Sequence, residues 1–184
     1  MNKYVSILII LLFLSCSHQN EIHKDFNCNI TSYKNLEKLQ DLKNKFSVEL
    51  PKSWKTNFFF DTLQSSIYTA DTTKQLTETF LLDITIINQS IKFDRIFKLK
   101  QKQESIAKNL TNIASGETIL INKPAYYTFS KGIKRSYSYQ VCHYFINTNA
   151  QNFIHVKAEV YGDSLVNNRL CKAFTLLEKI KLIK

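Results

Sequence analysis

The chain has 184 residues, 44% of them hydrophobic, which suits one domain of ordinary size with a short extra segment and argues against a second domain. Lysine and arginine number 25 against 15 acidic residues, so the formal net charge is +10. This surplus favours an anionic partner, such as nucleic acid, anionic lipid head groups or acidic glycans. The compartment of the protein decides between these partners.

The amino terminus predicts export. Lys3 provides a short basic region, and the apolar run of residues 5–14 contains only one polar residue, Ser6. This run is too short for a membrane-spanning helix, which needs about 20 residues. Residues 1–15 are therefore predicted to be a signal peptide, and an exported protein is not expected to bind nucleic acid.

The residues Phe13, Leu14, Ser15 and Cys16 resemble the lipobox of bacterial lipoproteins, in which a small residue precedes a cysteine that is acylated and becomes residue one after cleavage. Phe13 departs from the pattern, because leucine is usual there. The resemblance implies lipidation of Cys16, for instance with palmitate, and a membrane anchor that several acyl chains make effectively permanent. General secretory cleavage beside an unrelated cysteine and an uncleaved anchor are the alternatives.

Residues 16–33 are predicted to be the lipidated N-terminus and a tether, because they are polar and have no sustained periodicity. Lipoproteins of the cell surface in some Gram-negative groups resemble one another in an acidic cluster just after the lipidated cysteine. Here residues 17–20 are not acidic and a lone Glu21 follows. This difference favours the periplasmic face of the outer membrane as the location.

Cys28, Cys142 and Cys171 remain for the oxidising periplasm, where disulfides persist. Three cysteines cannot all pair. We favour a disulfide between Cys28 and Cys171, because Cys28 lies in the segment that enters the domain and Cys171 on its last helix. Three unpaired, buried cysteines are the alternative.

Residues 34–184 are predicted to form the domain. At its start, Leu36, Leu39 and Leu42 have helical spacing, but the segment is short, so a single helical turn and a loop are both open. Later runs rich in β-branched and aromatic residues predict strands; they are residues 46–50, 62–70, 80–87, 117–121, 125–129, 135–146 and 152–161. The breaks between the last four contain turn-forming residues, and their brevity predicts antiparallel hairpins. These breaks lie at Lys123-Pro124, Lys131-Gly132 and residues 147–149.

Two segments have the apolar spacing of amphipathic helices. In residues 92–112 the stripe is interrupted only at Gln103 and consists of Ile96, Leu99, Ile106 and Leu110. Asp163 or Ser164 is predicted to cap the last helix. Its stripe consists of Val166, Leu170, Ala173, Leu177 and Ile180. The predicted fold class is α+β: an antiparallel sheet of about six strands with a central and a C-terminal helix packed on it, as an α/β/α sandwich.

The order of motifs and elements resembles the PsbP-like superfamily. The features that carry the resemblance are the strand that ends in FSVELPKSW (residues 46–54), the later SSIYTAD (residues 65–71), the central helix, the short strands and the closing helix. The resemblance covers residues 46–184 and implies an α/β/α fold that also serves a Ran-GTPase-binding import factor. Members include photosystem II extrinsic subunits, partner-binding adaptors and uncharacterised bacterial lipoproteins. The resemblance therefore implies a fold rather than an activity, and it transfers no active-site residue to this chain.

The sequence lacks the motifs of common enzyme classes. Its three glycines are isolated, so it has no glycine-rich phosphate loop, and it has no GxSxG, HExxH or CxxC motif. Cys142 and His143 are adjacent on a predicted strand and point to opposite faces, so they cannot share one metal ion. We therefore predict no catalytic residue, no cofactor and no metal site.

Two groups of polar residues are candidates for binding. The first consists of Arg95, Lys98 and Lys102. These cations lie together on the flank of the central helix and are predicted to meet an anionic partner, unless the flank is only the solvated side of the helix. The second consists of Asp83, His155, Lys157 and Glu159. They lie on polar strand faces and are the predicted ligand contacts, with a merely solvated face as the alternative. His143 is expected to be packed.

These features predict a non-catalytic, membrane-anchored lipoprotein of the cell envelope that binds a protein or an envelope component. The alternative is an enzyme of unrecognised type that uses the polar sheet face around Asp83, Thr85, His155 and Glu159. A deep pocket that joins these residues would favour the enzyme, and a flat, solvated face would not. A third hypothesis is a purely structural role.

Overall fold

The computed structural model describes Phe26, Cys28 and residues 32–183. The predicted signal peptide, Cys16 and most of the tether lie outside these residues. Within them the chain forms ten strands and two helices. In chain order these are β1 (Leu36–Gln40), β2 (Phe46–Pro51), β3 (Lys55–Phe60), β4 (Gln64–Ala70), β5 (Leu81–Ile87), α1 (Arg95–Ala107), β6 (Thr111–Leu120), β7 (Lys123–Lys134), β8 (Tyr137–Asn147), β9 (Phe153–Tyr161), α2 (Val166–Leu177) and β10 (Lys181–Leu182).

The strands form two antiparallel sheets. The larger sheet has seven strands in the order β3-β4-β5-β9-β8-β7-β6, and the smaller sheet has three in the order β1-β2-β10. The predicted α+β class, with an antiparallel sheet and two helices, is confirmed. The count of about six strands is wrong, because the larger sheet alone has seven.

Three strands are not recognisable in the sequence pattern. β1 contains leucines at a helical spacing of three, yet it pairs with β2 along its whole length. β3 is an edge strand on which Phe59 and Phe60 are exposed, and β10 has only two residues. An edge position or a very short length removes the alternation of apolar and polar residues that identifies a strand.

Two tight turns join β6 to β7 and β7 to β8. Each contains two residues with positive φ, which are Ile121 and Asn122 in the first turn and Arg135 and Ser136 in the second. Positive φ at both central positions is typical of the type I′ turn, whose twist matches that of the paired strands. The hairpins are therefore antiparallel, as predicted, but their turns lie elsewhere in the sequence.

The predicted breaks at Lys123-Pro124 and Lys131-Gly132 are wrong, because these residues lie inside β7. Pro124 is the second residue of the strand, close to the end where proline is tolerated. Gly132 lies against the segment that follows α1, and a Cβ atom added to it would be 2.7 Å from a side-chain carbon of Leu110. The missing side chain at Gly132 thus allows this segment to lie directly on β7.

The main core lies between α2, the smaller sheet and one face of the larger sheet. Its fully buried members include Phe46 and Leu50 on β2, Tyr144 on β8 and Leu170 on α2. The ring of Phe174 on α2 meets that of Tyr144 edge-on, with centroids 5.4 Å apart. Burial of such side chains stabilises the fold by about 1.5–3 kcal/mol each.

The helix α1 covers the opposite face of the larger sheet. Its Phe97 ring contacts Tyr126 on β7 and Phe145 on β8, with centroid distances of 5.6 and 5.1 Å. Phe145 follows Tyr144 in β8, so these two side chains point to opposite faces. The two helices therefore lie on opposite sides of the sheet and give an α/β/α sandwich.

The helix α1 is shorter than the predicted residues 92–112. Asp94 caps its start, because the side-chain oxygen accepts a hydrogen bond from the backbone N–H of Phe97 at 2.9 Å. Asn109 follows its end with a φ of 55°, a conformation that terminates helices. The next strand then begins at Thr111.

The packed side of α1 is not its predicted apolar stripe. The exposed residues of that stripe are Ile96, Leu99 and Ile106. The helix instead packs through Phe97, the buried Gln101 and Ser105, whose hydroxyl oxygen is 3.4 Å from that of Ser130 on β7. The sheet face beneath α1 is aromatic and polar, so a phenyl ring, an amide and a hydroxyl group fit it better than an aliphatic stripe.

The helix α2 packs through its predicted stripe, of which Leu170, Ala173, Leu177 and Ile180 are buried. The predicted caps are wrong: the N-cap is Leu165 rather than Asp163 or Ser164, and its side chain makes no capping hydrogen bond. Arg169 holds this end of the helix instead, by donating to the carbonyl oxygen of Tyr161 at 2.8 Å. Neither α1 nor α2 combines the length and the hydropathy needed to cross a bilayer.

A disulfide joins Cys28 to Cys171 on α2, with the Cα atoms 5.4 Å apart. The same two cysteines form the pair favoured from the sequence. Beside the disulfide, the ring of Phe26 packs edge-on against Phe174 with centroids 5.1 Å apart. The segment that enters the domain is therefore attached to the α2 layer both covalently and by packing, while Cys142 is free and buried.

Removal of the disulfide is expected to lower the free energy of unfolding by about 2–5 kcal/mol, because the bridge connects residues far apart in the unfolded chain. Urea denaturation of a Cys28→Ser, Cys171→Ser variant measures this loss. Dithiothreitol should destabilise the wild type to a similar extent and leave the double variant unchanged. Cys142→Ala is the matched control and should still respond to reduction. Equal stability of the oxidised and reduced wild type would contradict the prediction.

Candidate functional site

The larger sheet is polar on its α1 side along β5 and β9. In the register of these strands, Asp83 lies opposite Lys157, and Thr85 lies opposite His155. Side chains two residues apart on a strand share a face, so Glu159 lies on this side as well. The structure therefore brings together all four residues that the sequence predicts as ligand contacts.

Glu159 is only 4% exposed, and its carboxylate is bonded on several sides. Tyr139 Oη donates to Oε1 at 2.6 Å and Lys134 Nζ donates to it at 2.9 Å, while Lys157 Nζ lies 3.3 Å from Oε2. Burial alone would raise the pKa of Glu159, but these hydrogen bonds and the two lysine charges lower it below its ordinary value. The carboxylate is thus ionised and already fully engaged.

Asp83 is held by a residue of its own strand and by a lysine of β9. Thr85 Oγ1 donates to Asp83 Oδ1 at 3.0 Å, and Lys157 Nζ lies 3.8 Å from Oδ2. The hydroxyl oxygens of Ser66 and Thr85 are 2.8 Å apart, which extends the network to β4. Burial is the largest influence on Asp83 and raises its pKa above the ordinary value. Lys157 therefore lies between two carboxylates.

His143 on β8 and His155 on β9 form a hydrogen-bonded pair. Nδ1 of His143 and Nε2 of His155 are 2.9 Å apart, so one nitrogen donates a hydrogen bond to the other. His155 also stacks on Phe145, with centroids 4.6 Å apart. Burial and the charges of Lys108 and Lys157 lower the pKa of His143 to about 4, and burial beside His143 lowers the pKa of His155 to about 3. Both imidazoles are therefore neutral at neutral pH.

Two clefts open on this face, one on each side of the histidine pair. A cleft of about 430 Å³ lies beside α1 and is lined by both histidines. A second cleft, of about 440 Å³, is lined by His143, Lys134 and Glu159. His143 and Lys108 line both clefts, whereas Asp83 lines neither. These two clefts therefore do not form the single pocket that an enzyme using the polar face would need.

A third cleft, of about 600 Å³, lies on the other flank of α1 and is lined by Arg95, Lys98 and Lys102. The three cations predicted to meet an anionic partner thus line one cleft. Lys98 Nζ donates to Glu117 on β6 at 2.6 Å and lies 5.7 Å from the ring centroid of Tyr126. Arg95 and Lys102 have no ion pair within residues 32–183.

The sequence does not identify Lys134 and Tyr139 as partners of Glu159. Their positions depend on the turn at Arg135 and Ser136, whereas the sequence pattern predicts this turn at residues 131–132. His143 is correctly expected to be packed, but its contact with His155 depends on β8 and β9 being neighbours. Across the part of the chain that the structure describes, no group of three or more His, Cys, Asp or Glu side chains is arranged to hold a metal ion.

The histidine pair is expected to make the fold sensitive to acid. Both histidines regain a pKa of about 6.5 on unfolding, so below that pH the unfolded state binds more protons and stability falls as the pH decreases. The loss should continue down to the folded-state pKa values of about 4 and 3, at up to about 1.4 kcal/mol per pH unit for each histidine.

Urea denaturation at neutral pH and at pH values down to the folded-state pKa of His143 measures how the free energy of unfolding changes with pH. A His143→Gln, His155→Gln variant keeps groups able to donate and accept hydrogen bonds but cannot titrate, so its stability should change less over the same interval. An identical slope in the variant would mean that other groups cause the acid sensitivity.

Replacement of the buried carboxylate in Glu159→Gln is expected to lower the free energy of unfolding by about 1–3 kcal/mol, because the lysines around it lose their neutralising charge. Glu117→Gln removes the exposed partner of Lys98 and should cost much less, because water screens an exposed ion pair. The difference in the free energy of unfolding between wild type and Glu159→Gln should reach its full size above the unfolded-state pKa of about 4.3. It should decline as the pH falls through the lowered folded-state pKa. Equal effects of the two substitutions in urea denaturation would disprove the structural role of Glu159.

The sequence matches no protein-family model and no curated protein, but the fold matches solved structures. The solution structure of cyanobacterial PsbP (CyanoP) from Synechocystis sp. PCC 6803 gives a TM-score of 0.57 at 11% identity, over 84% of this chain and 96% of that chain. The Ran-binding protein Mog1p of Saccharomyces cerevisiae gives 0.55 at 6% identity, over 83% of this chain and 97% of that chain.

A protein from Bacteroides thetaiotaomicron VPI-5482 gives a TM-score of 0.50 at 11% identity, over 82% of this chain and 50% of that chain. At these identities the similarity concerns the fold alone. The fold implied by the resemblance of the sequence is thereby confirmed: the chain has the PsbP-like fold that CyanoP and Mog1p share.

Proposed function

We propose that this protein is a non-catalytic lipoprotein of the bacterial cell envelope, held by a lipidated Cys16 at the periplasmic face of the outer membrane. Its domain binds an anionic envelope component or an envelope protein. The observation that supports binding is the cleft of about 600 Å³ beside α1, which three cations line. Two of them, Arg95 and Lys102, have no ion pair among the described residues.

The polar sheet face supports a structural use of its titratable groups. Glu159 accepts hydrogen bonds from Tyr139 and Lys134, and His143 and His155 bond to each other. A general base needs a basic atom within hydrogen-bond reach of its substrate. An enzyme that used this face would first have to break these internal bonds, so binding is the better supported function.

The cysteines support export. The disulfide between Cys28 and Cys171 fits an oxidising compartment such as the periplasm. The apolar run of residues 5–14 and the lipobox resemblance at Cys16 agree with the same route. Export leaves lipid head groups, acidic glycans and envelope proteins as partners for the cationic cleft.

Metabolic labelling with radioactive palmitate tests the anchor. The wild type should incorporate the label and fractionate with membranes, because Cys16 is the acylated residue. Cys16→Ala should lose the label, whereas Cys142→Ala, which leaves both the lipobox and the disulfide intact, should retain it. Unchanged labelling of Cys16→Ala would remove the anchor from the proposal.

The same cells, treated with a crosslinker and analysed by mass spectrometry, give the second readout. A partner of the cationic cleft should be captured by the wild type and lost from an Arg95→Gln, Lys102→Gln variant. Lys38→Gln, Lys52→Gln removes the same charge from exposed positions elsewhere and should retain the partner. An abundant protein without any crosslinked partner would favour a purely structural role.

A further inference from the structure

The outward side of α1 presents three large apolar side chains, with the exposed Gln103 among them. Its exposed residues are Ile96, Leu99 and Ile106, which are 79%, 53% and 62% exposed. They lie on the helix surface opposite Phe97 and Gln101, which pack on the sheet, so no part of the described chain covers them. A contiguous exposed apolar surface marks a contact with a partner or a membrane. We refer to these three residues as the α1 ridge.

Cations lie on both flanks of the α1 ridge. Arg95, Lys98 and Lys102 line the cleft on one side. Lys100 and Lys108 line the cleft on the other side, which also contains Asp94 and Glu104. Within residues 32–183 only Lys98 of these five is in an ion pair. An apolar strip bordered by lysine and arginine on both sides is typical of a helix that lies in a membrane interface, because the cations reach the phosphates while the apolar residues enter the acyl boundary.

We propose that α1 lies flat in the surface of an anionic phospholipid bilayer, with the α1 ridge inserted among the acyl chains and the flanking cations on the lipid phosphates. This deepens the proposed function by naming the anionic component, and it rests on that function only because the lipid anchor would bring the domain to a membrane.

Charge complementarity favours the bilayer over a second copy of this chain. Two copies that met through the α1 ridge would bring together the unpaired Arg95, Lys100 and Lys102 of each, and like charges across an interface oppose association. An anionic bilayer instead attracts each of these cations.

Vesicle sedimentation tests the proposal with the mature chain from residue 16 in which Cys16→Ser prevents acylation. This chain retains every residue that the structure describes. It should bind vesicles that contain phosphatidylglycerol, bind phosphatidylcholine vesicles much more weakly, and lose binding as salt is raised. Equal binding to both kinds of vesicle would overturn the electrostatic part of the proposal.

Substitutions separate the ridge from the cations. Ile96→Ser, Leu99→Ser, Ile106→Ser should weaken binding to the anionic vesicles roughly tenfold or more. The matched control is Leu42→Ser, Phe60→Ser, Leu63→Ser, which changes three apolar residues that are also exposed, near the β3 edge of the sheet, and should bind like the parent chain. Circular dichroism checks that both variants fold, and binding unchanged by the ridge substitutions would overturn the proposal.

The charge variant is Arg95→Gln, Lys100→Gln, Lys102→Gln. Each lost cation should weaken binding about fivefold, so the three together should weaken it roughly a hundredfold. Lys38→Gln, Lys52→Gln, Lys55→Gln removes the same net charge from exposed positions elsewhere and should have a much smaller effect. Equal effects of the two variants would show that only the overall charge matters and would overturn a site on α1.

Sedimentation velocity without vesicles tests the competing occupant. The parent chain should be monomeric; a dimer that the ridge substitutions abolish would assign the α1 ridge to a second copy and overturn the proposal. Palmitate labelling depends only on Cys16, and these vesicle experiments use a chain without it. A missing anchor and an inactive α1 surface therefore give different results.

Discussion

The candidate binding surfaces of this molecule depend on the two unlike faces of its seven-stranded sheet. Along β8, Tyr144 points to α2, whereas His143 and Phe145 on either side of it point to α1. A register slip of one residue would exchange these faces, placing imidazoles in the main core. Burial of the apolar face against α2 therefore fixes the register, and this register assembles the network around Glu159 and the histidine pair.

The polar face explains why α1 has an apolar exterior. Its packed side is limited to what fits an aromatic and polar surface, namely Phe97, Gln101 and Ser105. The close approach of the segment that follows α1 to Gly132 completes the attachment. An aliphatic ridge turned toward the sheet would bury polar groups of the sheet without hydrogen-bond partners. The free-energy cost of that burial exceeds the gain from burying the aliphatic side chains. The ridge consequently points away from the sheet, on the side that the proposed bilayer contact would cover.

The sequence predicts elements well where one periodicity dominates. β9 and the α2 stripe follow from strict alternation and regular spacing, and alternation also groups Asp83 with Glu159 on polar faces. The turns are misplaced because Arg135 and Ser136 adopt a type I′ conformation that usually favours asparagine or glycine. Periodicity reveals the apolar stripe on α1 but not whether the stripe faces the sheet or the solvent. The chemistry of the sheet face beneath α1 determines this. The bonds from Lys134 and Tyr139 to Glu159 depend on how β7, β8 and β9 align with one another, and the sequence of a single strand does not reveal this alignment.

The disulfide would constrain how the domain lies on a membrane under the proposed lipid anchoring. It attaches Cys28 to α2, on the side of the sheet opposite α1, so a tether from Cys16 must pass around the domain if α1 is to reach the same bilayer. Two helix layers with a sheet between them are roughly 30 Å thick, and the segment from Cys16 to Cys28 spans at most about 40 Å when extended. If Cys16 is lipidated as proposed, anchor and helix would bind the same bilayer, and a tether of this length would give α1 a high effective concentration at the lipid surface. In this orientation all three clefts, which flank α1, face the bilayer, and the smaller sheet and α2 face away from it. A ligand of these clefts, whether a lipid or an envelope protein, would then have to lie at the membrane surface.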